Sequence, residues 1–167
     1  MSVLFIDNHI YFLKMTLFDR LGGQAAIDAV VDQFYEYMLE DERVSHFYEG
    51  IDLAKLRCRQ KEFIALVTGG PNNYEGADMK TAHCKLIISE KDFDVTWENL
   101  DKALKCFQVG VGLIEELKAI FYSVRADVVT KKQLSPQGVE IKAKDANADV
   151  APISKCPFSG KTASQGE

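Results

Sequence analysis

The chain contains only three histidines, His9, His46 and His83, so any chemistry that needs an imidazole has few candidates. His83 ends a short stretch, residues 79–83, that follows a loop rich in turn residues and supports only one or two helical turns. A lone histidine is more often a structural residue than a ligand. It does not supply a zinc site, which takes three or four ligands, but one histidine is all that a haem iron requires on its proximal side.

Two polar residues interrupt apolar stripes that otherwise read as buried helix faces. Tyr35 lies beside Phe34 on one stripe, and Gln60 lies one turn after Leu56 and one turn before Ile64 on another. An inward amide or phenol without a partner costs about 1–3 kcal/mol. Such groups usually bond each other or nearby backbone. The alternative is that both face a ligand.

Apolar residues recur with a helical period in four long segments, and paired glycines mark the turns between them. The stripes comprise Ile27, Val30, Val31, Phe34, Tyr35 and Met38; Leu53, Leu56, Gln60, Phe63, Ile64 and Val67; Phe93, Trp97, Leu100, Leu104 and Phe107; and Leu113, Leu117, Ile120, Phe121, Val124 and Val128. No convincing alternation with period two appears. The sequence therefore predicts an all-α body with four main helices.

Composition places these helices in one globular domain. The 167 residues are 47% hydrophobic and 27% charged with a net charge of -5, which is typical of a globular protein and gives no basic footprint for nucleic acid. No run approaches the roughly 20 apolar residues of a membrane span. The four cysteines show no C-x-x-C spacing, which excludes zinc-ribbon, thioredoxin and covalent c-type haem motifs. We expect a cytoplasmic protein.

Two extensions flank the predicted body, residues 16–130. Residues 1–15 lack the pattern of a signal peptide and are interpreted as an extra short helix packed on the body, with a disordered extension as the alternative. Residues 131–167 have too few apolar groups to offset the entropy of ordering and are predicted to be mostly disordered. Their Cys156-Pro157 dipeptide is of a kind that sometimes binds haem through sulfur, but a solvated tail is the simpler interpretation.

Four short segments, taken in order and with their spacing, carry a family resemblance. They are residues 17–23 (LFDRLGG), 32–35 (DQFY), 69–76 (GGPNNYEG) and 79–83 (MKTAH). They resemble the truncated haemoglobins of the first group, small globins with a two-over-two helical sandwich that encloses haem b, iron protoporphyrin IX. The resemblance covers about residues 16–130.

The resemblance implies a role for each matching residue. His83 matches the proximal iron ligand, Tyr35 the distal tyrosine that hydrogen-bonds dioxygen, and Gln60 a glutamine that supports the same ligand. The other positions expected to contact the haem are Phe34, Phe47, Tyr48, Leu56, Arg59, Phe63, Met79, Lys80, Ile88, Phe93 and Thr96. Arg59, Lys80 and Lys85 are candidate partners of the haem propionates, although each is more often a solvated surface charge.

Three departures from the family pattern bear on chemistry. Tyr48 replaces a more usual phenylalanine and brings a hydroxyl that bonds ligand or water, or points outward. Arg59 stands where some relatives use lysine or histidine as a sixth iron ligand, and arginine stays protonated and cannot ligate iron. That favours an open or water-bound distal side, although Tyr35 itself can bind ferric iron. The last helix has no histidine, so no covalent link to a haem vinyl group is expected.

Dioxygen, nitric oxide and carbon monoxide are the ligands that the resemblance implies. The expected function is oxygen binding or transport, or nitric oxide detoxification. The alternatives are a nitric oxide dioxygenase proper, served by a separate reductase, and a sensor or store for a diatomic gas. A haem peroxidase is disfavoured because no second distal histidine or arginine pair is evident. A cofactor-free helical interaction module, with His83 merely structural, is the remaining interpretation.

Overall fold

The computed structural model describes residues 15–130, and all regular structure in this part of the chain is helical. In chain order the elements are α1 (Leu17–Leu21), α2 (Gly23–Glu40), a 3-10 helix (Ser45–Tyr48), α3 (Leu53–Val67), α4 (Met79–His83), α5 (Glu90–Cys106), α6 (Val111–Ser123) and α7 (Arg125–Val128). The predicted all-α class is confirmed. The predictions for the two extensions lie outside the described residues.

Side-chain caps fix where the site-bearing helices begin. The carboxylate of Asp52 accepts a hydrogen bond from the backbone N–H of Lys55 and starts α3, and the carboxylate of Asp78 does the same for Thr81 and starts α4. Ser89 opens α5 with a capping box. The predicted stripe from Leu53 to Val67 and the predicted short stretch from Met79 to His83 both match observed helices.

Two details of the predicted helices are wrong. The fourth stripe, predicted as one helix, is divided into α6 and α7 at Val124, whose N–H bonds the carbonyl oxygens of Phe121 and Tyr122 in a tight turn. Phe107 was predicted to lie on the buried stripe, but it caps α5 and is 46% exposed. The backbone leaves the helix there, because the next residue, Gln108, has a φ of 57°.

The central helix α2 packs against both α3 and α5, while α6 packs against α1 and α5. Their buried faces form the main core, in which Val31, Met38, Val44 and Leu104 are almost completely enclosed. Two helix pairs, α2 with α3 and α5 with α6, thus build the sandwich. None of the described helices is both long and apolar enough to cross a membrane.

A second, smaller apolar cluster lies apart from the main core. Its buried members are Ile88, Phe93 and Val128. Thr130 closes it, because its hydroxyl accepts a hydrogen bond from the N–H of Ile88 at 2.9 Å, and its own N–H donates to the carbonyl of Ile88 at 3.1 Å. Phe47, in the 3-10 helix, packs against both clusters and so lies at their junction.

The loop after α3 gives a test of this packing. A Cβ added at Gly70 would lie 2.4 Å from the ring of Phe18, which is packed against the main core. Gly70→Ala therefore forces that ring to move and should lower the free energy of unfolding by about 1–3 kcal/mol, measured by urea denaturation. Gly112→Ala is the control, since its Cβ meets nothing within 4 Å and alanine favours a helix by about 0.5–1 kcal/mol. Equal urea midpoints for the two variants would contradict the packing described.

Candidate functional site

The imidazole of His83 is oriented by its own helix. Its Nδ1 lies 2.7 Å from the backbone carbonyl oxygen of Met79, one turn earlier in α4. A carbonyl oxygen only accepts, so Nδ1 carries the proton and donates it. This fixes the tautomer in which Nε2 has a free lone pair, as a metal-ligating histidine requires.

The short helix α4 is positioned by the loop that precedes it. The hydroxyl of Tyr74 donates to the carbonyl oxygen of Ala77 at 2.7 Å, and a Cβ at Gly76 would collide with the Tyr74 ring. Asp78 then caps the helix through the N–H and the hydroxyl of Thr81. These contacts explain Gly76 and the tyrosine of this loop, and they help to set where His83 lies.

Apolar residues that the sequence predicts as a cofactor wall gather beside α4. Ile88 and Phe93 are buried members of the second cluster, and Met79 and Phe47 pack against it. Thr96, one turn after Phe93 in α5, donates its hydroxyl to the carbonyl of Asp92 at 2.9 Å, which satisfies its polar group within the helix. The structure thus brings Phe47, Met79, Ile88 and Phe93 together in one apolar cluster.

On the other side of the junction at Phe47 lies Tyr35, which is only 3% exposed. The ring of Tyr48 meets the Tyr35 ring edge-on, with centroids 5.8 Å apart and an interplanar angle of 88°. Within residues 15–130 neither hydroxyl has a hydrogen-bond partner. The expectation that Tyr35 bonds Gln60 or nearby backbone is therefore not met in this part of the chain.

Both phenols are held in their protonated form. Burial raises the pKa of Tyr35 far above its usual value, with a smaller contribution from Tyr48 and an opposing one from Arg57. Burial likewise raises the pKa of Tyr48. Two neutral phenols, each able to donate a hydrogen bond, therefore belong to rings that are in contact on this side.

Gln60 lies on the half-buried face of α3 rather than in its core. Only Ile64 and Ala65 of this helix are buried, so the predicted inward stripe of α3 is less enclosed than that of α2 or α5. Leu56 packs against the main core from a partly buried position.

The remaining predicted residues spread from the core to the surface. Phe34 is buried in the main core, and Phe63 stacks edge-on against Tyr74 with centroids 5.3 Å apart. Arg59 is partly buried, whereas Lys80 and Lys85 are exposed. The three cations are thus at or near the surface, where a propionate would meet solvent.

One residue at the site was missed from the sequence. Arg57 donates to the carboxylate of Glu36 at 2.6 Å, and its guanidinium carbon lies 5.8 Å from the centre of the Tyr35 ring. Lys61, one turn later, donates to Asp32 at 2.9 Å. The sequence does contain a signal for these ion pairs. Asp32 and Glu36 are four residues apart in one predicted helix, and Arg57 and Lys61 are four apart in the next.

The residues present fit a haem. An imidazole with a free Nε2, an apolar wall beside it and protonated phenols beyond the wall make up the donor set and the lining that an iron porphyrin takes. The two features that support this fit are the Nδ1 contact of His83 and the hydroxyls of Tyr35 and Tyr48, which have no hydrogen-bond partner among the described residues.

Comparison with known proteins also indicates a globin. The family model described as bacterial-like globin matches residues 16–129. The group 1 truncated hemoglobin GlbN of Synechocystis is 39% identical over 109 residues, 63% of this chain and 88% of that protein. That of Tetrahymena thermophila is 35% identical over 116 residues, 70% of this chain and 96% of that protein.

The chain belongs to the bacterial-like globin family, among the group 1 truncated haemoglobins. Solved structures give the same result for the fold. The truncated hemoglobin of Tetrahymena pyriformis in its Fe(III) form superimposes with a TM-score of 0.68 at 35% identity, and covers 70% of this chain and all of that one. The 2/2 hemoglobin of Synechococcus, in the cyanomet state and with covalently attached heme, gives 0.67 at 36% with the same coverage. Family membership implies that this truncated haemoglobin binds haem and diatomic ligands.

The orientation of His83 leads to a test of the proximal assignment. His83→Ala removes the candidate ligand and should give protein that lacks the Soret band or shows an altered one, measured by absorption of protein purified from haem-sufficient cells. His46→Ala is the matched control, because that ring stacks on Phe47 with centroids 4.1 Å apart but is exposed. A normal Soret spectrum in His83→Ala would defeat the assignment.

Proposed function

We propose that this truncated haemoglobin binds dioxygen reversibly, and carbon monoxide and nitric oxide in its place, through haem b held by Nε2 of His83. The observation that carries the proposal is the hydrogen bond from Nδ1 of His83 to the carbonyl of Met79, which leaves Nε2 free. Haem, when bound, supplies an iron with a coordination position for a diatomic ligand. The chain's own residues supply orientation, enclosure and hydrogen bonds.

His83 has two tasks in this proposal. Its Nε2 holds the metal, and its Nδ1–H bond to Met79 prevents the ring from rotating and strengthens it as an electron donor. Because the acceptor lies one turn back in the same short helix, ring and helix move as one unit. The position of α4, set by the loop containing Tyr74, then determines where the metal stands.

Tyr35 is the main distal donor in the proposal, with Gln60 in support. A diatomic ligand that draws electron density from the metal is stabilised by donors aimed at it in a dry pocket. Tyr35 is only 3% exposed, so little water can compete for its hydroxyl. Each hydrogen bond contributes roughly 1 kcal/mol, so two would slow ligand release by about ten- to a hundredfold.

The other predicted residues complete the enclosure. Phe47, Met79, Ile88 and Phe93 form an apolar wall, and Tyr48 extends it toward Tyr35. Arg59, Lys80 and Lys85 would pair with carboxylates at the solvent edge. Such pairs at exposed positions contribute little to affinity, so we assign these cations to orientation rather than to retention of the haem.

Nitric oxide detoxification is a second candidate, favoured by the same two distal donors. A protein that releases dioxygen slowly is a poor carrier but has time to convert nitric oxide to nitrate. Repeated turnover needs an electron donor, so this function requires a separate reductase as partner. Storage or sensing of a diatomic gas is the alternative use of the same site.

Removal of the Tyr35 hydroxyl tests the distal role. Tyr35→Phe should raise the dioxygen dissociation rate by about fivefold, the equivalent of one lost hydrogen bond, measured by stopped flow. Tyr37→Phe is the matched control, because Tyr37 lies two residues on in α2 with Lys102 3.7 Å from its ring centre. An unchanged rate in Tyr35→Phe would remove Tyr35 from the distal role.

Steady-state consumption separates the two candidate functions. With a flavin reductase, its reduced nicotinamide and dioxygen in excess, a dioxygenase should consume many equivalents of nitric oxide and release nitrate. A binding or storage protein should stop near one equivalent. The test must be run over many turnovers, since a single conversion occurs in many globins and does not distinguish the functions. Rapid conversion confined to one equivalent would rule out the dioxygenase.

A further inference from the structure

The two proposed distal donors stand on different helices. Tyr35 belongs to α2 and Gln60 to α3. Two donors can address one small ligand only if the offset between their helices is fixed to a fraction of an ångström. The offset is set by the packing of α3 on α2, to which Leu56, Ile64 and Ala65 contribute apolar surface, and by ion pairs between the two helices.

Ion pairs join the two helices at the level of the donors. Arg57 donates to Glu36 at 2.6 Å and lies 3.8 Å from a carboxylate oxygen of Asp32, so it binds residues on both sides of Tyr35 in the sequence. Lys61 donates to Asp32 at 2.9 Å. We call these four residues, Asp32, Glu36, Arg57 and Lys61, the α2–α3 clamp.

Arg57 differs from the other cation of the clamp. Its guanidinium carbon lies 5.8 Å from the centre of the Tyr35 ring, within the range of a cation–π contact. Its side chain is 22% exposed, and its Nε is buried without a hydrogen-bond partner among residues 15–130. A buried N–H without a partner is costly, so stability alone does not explain this arrangement.

We propose that Arg57 is a positioning residue for Tyr35, which holds the phenol ring so that the hydroxyl is aimed at the distal ligand. This inference rests on the proposed function. The guanidinium group of Arg57 donates to Glu36 on α2, and its central carbon lies over the ring of Tyr35, the residue before Glu36. One rigid, planar group therefore contacts both the helix and the phenol ring. The nearby positive charge also opposes the effect of burial on the pKa of Tyr35, which makes the phenol a better donor.

The test compares two cations of the same clamp. Arg57→Met should raise the dioxygen dissociation rate by about two- to fivefold, because the Tyr35 hydrogen bond is weakened but not removed. Lys61→Met removes an ion pair to α2 but leaves the surroundings of the Tyr35 ring unchanged. Its factor on the dioxygen dissociation rate should be less than about half of the factor for Arg57→Met. Arg57→Lys keeps the charge but loses the fork and should fall between wild type and Arg57→Met.

Two further readouts exclude a merely structural role. In a double-mutant cycle, Arg57→Met should have no further effect on the dissociation rate in a Tyr35→Phe background. The infrared C–O stretch of the carbon monoxide complex should shift to higher frequency in Arg57→Met, as expected when a distal donor is weakened. The urea midpoint should change little, because partly exposed ion pairs contribute little to stability.

The outcomes distinguish this inference from the proposed function. If Tyr35→Phe raises the dissociation rate but Arg57→Met does not, or if Lys61→Met matches Arg57→Met, the positioning role is wrong and the distal role of Tyr35 stands. The positioning role is also overturned if Arg57→Met raises the dissociation rate by the same factor in the wild-type and the Tyr35→Phe backgrounds. If Tyr35→Phe itself has no effect, both fail.

Discussion

The hydrogen bond between Nδ1 of His83 and the carbonyl of Met79 is the constraint on which the site depends. An imidazole has two equivalent-looking nitrogens, and only a fixed tautomer with one of them free can hold a metal in a defined direction. Here the acceptor is backbone, one helical turn away, so the direction of Nε2 is set by the geometry of α4 itself. The Asp78 cap and the Tyr74–Ala77 bond then orient α4 as a unit, and the apolar wall forms against it.

The side of the site that contains Tyr35 is assembled in a different way. Tyr35 is buried in the main core and Tyr48 comes from the 3-10 helix, so their phenols meet through tertiary packing rather than through one helix. Both phenols are protonated at neutral pH, the state in which they donate, and burial raises the pKa of each further. Charge is kept at the margin, where Arg57 and Lys61 on α3 face Asp32 and Glu36 on α2.

Much of this arrangement could be predicted from the sequence, and the failures have physical causes. The helical stripes predicted α2, α3 and α5 because apolar residues recur with a helical period over several turns of each, and the scarcity of imidazoles singled out His83 as the candidate ligand. The division at Val124 was missed because an apolar stripe continues through the turn. The exposure of Phe107 was missed because periodicity does not show where the backbone leaves the helix axis. The acceptor for Nδ1 could not be named, because a histidine at position i+4 of a helix can equally turn away.

The two sides of the site therefore differ in how tightly they are held. The ring of His83 is bonded to the backbone of its own helix, whereas α2 and α3 are joined by packing and by ion pairs between side chains. Ion pairs between exposed carboxylates and cations are screened by salt. The offset between α2 and α3 therefore depends in part on ion pairs that a small change in sequence can retune, while the ring of His83 is bonded to backbone. If the proposed function is correct, substitutions on the outer face of α3 would alter how long a ligand is kept without touching His83 or the apolar wall beside it.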